Sequence, residues 1–204
     1  LYLTLKDNYI IGKKIGCTNK YAQEQVNVKE PFYGNLFSKY YAFTGCKLLS
    51  KNFYKPFIEP EFSFRINQDI NISKAPFKFE QILEYIDSII PSIEIVDFRF
   101  NKKLKDIGIN NLISTNVASE YWIKGKEEFK LNFLDLTNHP VEVYINDEKK
   151  ETGNSSNVLG NPIYSLLWLI NKLCGKGEPL LKNHVVSTGT CTIALPLKIG
   201  DKVK

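Results

Sequence analysis

Residues 58–66 read IEPEFSFRI, with Phe62, Phe64 and Ile66 alternating against Ser63 and Arg65. Period-two alternation of this kind marks a β-strand with one buried and one polar face. Glu59 and Glu61 are two apart, so on a strand their side chains leave the same face and can converge on one point. The pair by itself is compatible with a solvated edge, the commoner case, or with part of a metal site. The phenylalanines read as the core face that holds the strand.

Working outward, SIEIVDFRF (92–100) places Glu94 between Ile93, Ile95 and Val96. A carboxylate on so apolar a strand is costly to bury unless something pairs with it. A hard divalent cation such as Mg²⁺ or Mn²⁺, which takes oxygen ligands, would serve, and Glu59, Glu61 and Glu94 are then candidate ligands. EYWIKG (120–125), FKLNFLDL (129–136), PVEVYIND (140–147) and HVVSTGTCTIALPL (184–197) also read as strands, bounded by Gly, Pro, Asn or Asp. Two helices are expected. The spacing of Phe79, Ile82, Leu83, Ile86 and Ile90 predicts one across 77–90, ended by Pro91. The second starts at an Asn161 N-cap with Pro162 in the first turn and stops at Gly175, with Ile163, Leu166, Leu167, Ile170 and Leu173 as its stripe. KKETGNSSNVLGNP (149–162) reads as a loop. The expected class is therefore α+β and β-rich, a mixed rolled sheet with two main helices in one domain spanning 1–204.

Bulk properties exclude several functions. The chain has 204 residues, 43% of them apolar and 24% charged, which is ordinary globular usage. No apolar run approaches the length of a membrane span, and the first residues lack the pattern of a secretory signal. The net charge is +5, from lysines that never cluster into a block, so a solvated surface is expected and a nucleic-acid partner is not. Cys17, Cys46, Cys174 and Cys191 show no CxxC or zinc spacing, which fits reduced thiols and a cytoplasmic location. His139 and His184 have no partner motif and read as turn or surface residues. The sequence contains no methionine, which points to a fragment or a processed chain.

Two further stretches carry chemistry. In IGKKIGCTNK (11–20) a strand would send Lys13 and Lys14 to opposite faces, one of them inward, where a lysine can exchange protons near neutrality. Snorkelling of both to solvent is the commoner alternative. Near the C-terminus VVSTGTCT (185–192) puts Thr188, Gly189 and Thr190 at a strand end, where hydroxyls and free N–H groups could hold a carboxylate or could simply form a turn.

The order GKKIGCTNK, PFYGNLF, IEPEFSFRI, SIEIVDFRF, STNVASEYWIKG, VLGNPIYSLLWLINKL and VVSTGTCT resembles the 2-oxopent-4-enoate hydratase and 4-oxalocrotonate decarboxylase branch of the fumarylacetoacetate hydrolase superfamily. The resemblance runs from about Ile11 to the end, carried by the register of seven motifs more than by any one. It implies a divalent metal held by Glu59, Glu61 and Glu94, an active-site lysine at Lys14, and a substrate-side strand end at Thr188, Gly189 and Thr190, extending to Cys191 and Thr192. It implies a homo-oligomeric lyase of aromatic-compound catabolism that acts on a 2-oxo acid or its dienol: hydration of 2-hydroxypenta-2,4-dienoate, or loss of a distal carboxylate as CO₂. Family members carry a helical segment ahead of the lysine motif, so an N-terminal part is expected to be missing.

The departures from the family pattern matter equally. Phe32 stands where a PDFG-like motif has its acid. In TNVASE, Thr115, Ala118 and Glu120 replace the aspartate, first serine and glycine of a DNASSG-like motif. These put water activation in the family's manner in question. They motivate a second class of function, a non-catalytic metal-binding subunit, beside a third reading as a generic β-rich binding domain without metal.

Overall fold

The computed structural model describes residues 8–204. In chain order the strands are β1 (Ile10–Gly16), β2 (Phe32–Phe37), β3 (Tyr41–Phe43), β4 (Pro56–Ile66), β5 (Ile86–Asp97), β6 (Ser119–Lys124), β7 (Pro140–Ile145), β8 (Glu148–Asn154), β9 (Val185–Thr190) and β10 (Leu195–Pro196). The helices are α1 (Lys20–Val26), α2 (Phe79–Leu83), α3 (Leu104–Ile107), α4 (Ile109–Ser114) and α5 (Pro162–Cys174). Eight strands form one mixed sheet in the order β2-β1-β9-β4-β5-β6-β3, with β10 against β4. The β1–β9 and β3–β6 pairs are parallel and the other pairs antiparallel. The α+β, strand-dominated class read from the sequence is the class observed.

The stretch 58–66 lies at the middle of this sheet, paired on both sides. Its alternation divides the sheet into two faces. Phe62, Phe64 and Ile66 join Ile15, Ile89, Val186 and the α5 stripe of Ile163, Leu166, Leu169, Ile170 and Leu173 in the largest core cluster. Burying such side chains stabilises by about 1.5–3 kcal/mol each, so this apolar face holds the sheet against α5. At the far end of the same face, Ile58 and Ile95 pack on Val143 and Ile145 of the β7–β8 hairpin. Glu59, Glu61 and Ser63 leave β4 on the opposite face.

Helix α5 follows its sequence signals. Asn161 accepts from the Ile163 N–H at 2.9 Å and Pro162 opens the first turn. Gly175 is the C-cap, but in the right-handed region; the left-handed conformation falls to Gly177, φ +72°.

Three expectations fail. The helix read across 77–90 is confined to Phe79–Leu83, and Ile86–Asp97 is one long strand that runs through Pro91. Its isoleucines are spaced for either period; β-branching, burial and pairing with β4, with the Phe129 bridge at Ile89 on the other side, settle them as strand. Pro91 does not end the element, and its carbonyl accepts from Gly125 N–H at 2.8 Å. The predicted strand 129–136 is a 3₁₀ turn at Leu131–Phe133, with only a bridge from Phe129 to Ile89. The expected loop 149–162 begins as β8, its polar residues forming the outer strand of a hairpin.

Candidate metal centre

Register assembles the site. Glu59 pairs directly with Glu94 across β4 and β5, Glu61 pairs with Thr190 of β9, and Lys14 of β1 pairs with Ser187 of β9. All point to the face away from α5. One carboxylate oxygen from each of Glu59, Glu61 and Glu94 lies within 4.8 Å of the others. The three expected ligands are thus brought together by two adjacent strands, β4 and β5, with β9 and β1 supplying Ser187 and Lys14 beside them. Lys14 is the inward lysine of its pair, 2% exposed, with Nζ 2.9 Å from Glu94 Oε2 and donating to the Val117 carbonyl at 3.3 Å. Lys13, on the other face, bonds Asn35 Oδ1 at 2.8 Å.

Glu61 is held asymmetrically. Its Oε2 accepts from Ser187 Oγ at 2.5 Å and from Gly189 N–H at 3.0 Å. Its Oε1, like Glu94 Oε1, is buried and has no hydrogen-bond partner among the described residues. Buried carboxylate oxygens without a partner are expensive. Three carboxylates facing one lysine leave two negative charges in excess when all are ionised. An all-oxygen donor set, two unsatisfied oxygens and that excess charge fit a hard divalent cation.

Electrostatics agree. Burial would lower the Lys14 pKa, but Glu94, Glu59 and Glu61 around it reverse the sign and hold it above its ordinary value as an ammonium. Burial pushes Glu59 up to about 7, against the pull of Lys14, and pushes Glu61 well above the ordinary carboxylate range, with Glu94 and Glu59 adding to it. Burial, assisted by Glu59, raises the Cys17 thiol to about 12; burial, assisted by Glu61, does the same to Cys191. Both thiols are therefore held in the neutral form.

A cavity of about 100 Å³ opens beside the centre. Lys14, Glu59, Thr18, Gly189 and Thr190 line its polar end, and Val26, Phe32, Phe98, Leu104, Leu112 and Val117 its apolar wall. The strand-end triad separates here. Gly189 and Thr190 reach the cavity, and the Gly189 N–H does hold a carboxylate, that of Glu61. Thr188 is turned into the opposite face, fully buried, its hydroxyl donating to Phe62 O at 2.7 Å. Phe32 packs over Gly16 at the cavity's apolar side. The other substituted positions have structural tasks: Thr115 Oγ1 donates to Leu112 O at 3.0 Å at the end of α4, and Glu120 ion-pairs with Arg99.

Several residues around the centre have no motif of their own. Ser63 and Ser187 shape the Glu61 environment, and parity along β4 was the available signal, since Ser63 follows Glu59 and Glu61 on one face. Asn116 and the Val117 carbonyl gave none, because their role depends on a loop conformation.

A curled mixed sheet with a buried glutamate–lysine centre on one face is an arrangement into which an oxygen-ligated divalent cation would fit. Comparison with known proteins narrows it. No protein-family model matches the chain. The chain is similar to a 2-keto-4-pentenoate hydratase of Dechloromonas aromatica (strain RCB), 27% identical over 194 residues, 95% of this chain and 72% of the relative. It superposes on 4-oxalocrotonate decarboxylase from Pseudomonas putida G7, complexed with magnesium and adipate, with a TM-score of 0.89 at 29% identity. That match covers 97% of this chain and 74% of the decarboxylase. A fumarylacetoacetate hydrolase family protein from yeast shares the fold alone, with a TM-score of 0.64 at 13% identity over 94% of this chain and 84% of its own. In sequence and in fold, then, the chain resembles the hydratase and decarboxylase branch of the fumarylacetoacetate hydrolase superfamily.

Proposed function

We propose that the protein is a divalent-metal-dependent lyase acting on a 2-oxo acid or its dienol, and that its reaction is hydration of 2-hydroxypenta-2,4-dienoate to 4-hydroxy-2-oxopentanoate. The observation that carries this reading is the convergence of Glu59, Glu61 and Glu94 within 4.8 Å, beside a buried Lys14 and a small cavity. When bound by these carboxylates, Mg²⁺ or Mn²⁺ supplies Lewis-acid stabilisation of developing negative charge on the substrate's 2-oxo oxygen.

This chain's residues do the rest. Lys14 is held by an ion pair to Glu94 and a hydrogen bond to the Val117 carbonyl, and an ammonium with three donors retains capacity toward the cavity that it lines. Held as an ammonium by the surrounding carboxylates, Lys14 donates a hydrogen bond there and stabilises negative charge; the proton exchange near neutrality expected of an inward lysine is overturned, because its pKa is raised and not lowered. The apolar wall keeps bulk water from the reacting carbons and receives the substrate's unsaturated tail. Gly189 and Thr190 border the polar end, where the substrate carboxylate belongs. Hydration is favoured over decarboxylation of a 2-oxo diacid because Lys14, already bonded to Glu94, is the sole cation among the described residues lining the cavity. A distal carboxylate would find no cationic partner there.

The Phe32 wall favours a second reading, a subunit that binds metal without catalysis. One assay separates the two. With Mg²⁺, the purified protein is expected to consume 2-hydroxypenta-2,4-dienoate, and Glu61→Gln to lose both turnover and metal binding. Metal binding without turnover supports the second reading, and unchanged turnover in Glu61→Gln removes the first. As parts of the same proposal, the protein is a homo-oligomer in a cytoplasmic setting, where its four cysteines stay reduced.

A further inference from the structure

Behind Glu61 lies a row of buried polar groups that the reaction does not use. Trp122 Nε1 donates to Ser63 Oγ at 3.1 Å, Ser63 Oγ donates to Ser187 Oγ at 2.9 Å, and Ser187 Oγ donates to Glu61 Oε2 at 2.5 Å. Ser92 joins from the side, 2.8 Å from Ser63 Oγ and 3.2 Å from the Glu61 carbonyl. Ser63 and Ser187 are fully buried, Trp122 is 2% exposed and Ser92 6%. The row crosses the middle of the sheet through β9, β4, β5 and β6.

The donor chemistry gives the row one direction. An indole N–H can only donate, so Ser63 Oγ accepts from Trp122; a carboxylate ionised as metal ligation requires can only accept, so Ser187 donates to Glu61. Each hydroxyl between them spends its single proton toward Glu61, and aligned hydrogen bonds of this kind strengthen one another in a low-dielectric interior. Their convergence on Oε2, together with the Gly189 N–H, contrasts with Oε1, which has no partner among the described residues.

We propose that Trp122, Ser63 and Ser187 form a directed relay that fixes Glu61 through Oε2, leaves Oε1 for the cation, and so sets the affinity of the metal centre. These are positioning residues; none touches the substrate cavity. The inference rests on the metal site proposed above, and the test separates the two. Mn²⁺ is titrated calorimetrically into metal-free protein, which needs no substrate and no turnover. Ser187→Ala is expected to weaken Mn²⁺ binding about 10–100-fold, the usual range for partners that orient metal ligands. Ser63→Ala, which leaves the Ser187–Glu61 contact in place, is expected to weaken it by a smaller factor in the same direction. Should Ser187→Ala fail to fold, Ser63→Ala decides alone. Wild-type affinity in Ser63→Ala overturns the relay while leaving the metal centre standing. Absence of Mn²⁺ binding in the wild-type protein overturns the centre and the relay together.

Discussion

Lys14 and Glu94 form an ion pair that water scarcely reaches, with side chains 2% and 0% exposed. Removing one member of such a pair leaves a buried charge without a partner, at a cost of about 3–5 kcal/mol, although the pair itself contributes little net stability. Lys14→Ala is therefore expected to lower the stability of the metal-free protein by about that amount in denaturant unfolding. Glu59 and Glu61 carry the pH dependence together, and Glu59 marks its window. The Glu59 carboxyl titrates at about 7 in the folded protein against an ordinary 4.5, because burial disfavours the charged form. A folded-state pKa above the unfolded one gives stability that is complete below pH 4.5 and lost as pH rises through 7. The metal-free protein should thus show a thermal midpoint that falls across this window. Mg²⁺ should bind more tightly as pH rises through it, since the ligands must be deprotonated. A midpoint that rises between pH 5 and 7 in chelator-treated protein, and no longer does so in Glu59→Gln, would contradict the assignment.

Between α4 and β6, three successive non-glycine residues, Asn116, Val117 and Ala118, have φ of +55°, +59° and +57°. Each left-handed residue of this type is unfavourable by about 1–2 kcal/mol, most of all the β-branched Val117. The turn is clamped from outside. Asn116 Oδ1 accepts from the Asn35 N–H at 2.7 Å, and its Nδ2 donates to the Asn35 carbonyl at 2.8 Å. Gly34 is required beside it, since a Cβ there would lie 2.6 Å from Asn116 Oδ1. The conformation delivers the Val117 carbonyl to Lys14. Asn116→Ala should cost about 0.5–1.5 kcal/mol for each hydrogen bond lost to the half-buried backbone groups of Asn35. It should also impair turnover more than Mg²⁺ affinity, since it loosens Lys14 and leaves the carboxylates in place; equal loss of both would argue against this division. None of this was legible in TNVASE, because strain and clamp exist only once β2 and the turn are side by side. Strand β5 teaches a related lesson: SIEIVDFRF announced itself, yet the preceding isoleucines suited a helix until neighbours on both sides were known.

The whole molecule divides its labour between the two faces of one sheet. One face packs Phe62, Phe64 and Val186 on α5; the other carries Glu59, Glu61, Ser63, Glu94 and Lys14. Leu166→Ala, at a fully buried position of α5, is expected to cost about 2–5 kcal/mol through the cavity it opens. Metal affinity at 25 °C should stay within about threefold of wild type, because the substitution lies across the sheet from the ligands and distant sites add nearly independently. A large loss of affinity in the folded variant would show that the faces are coupled. The sequence by itself determined which residues could share a face: period two on β4 sets Glu59 with Glu61, apolar neighbours mark Glu94 as a carboxylate needing a partner, and the Lys13–Lys14 pair must split. Only the tertiary structure decided which strands are neighbours, and hence that Glu94 meets Lys14, that Gly189 and Ser187 grip Glu61, and that Thr188 turns away. Periodicity is a property of one strand and can be read along the chain. Pairing order, register and loop handedness arise from contacts between segments distant in sequence, and no local pattern contains them.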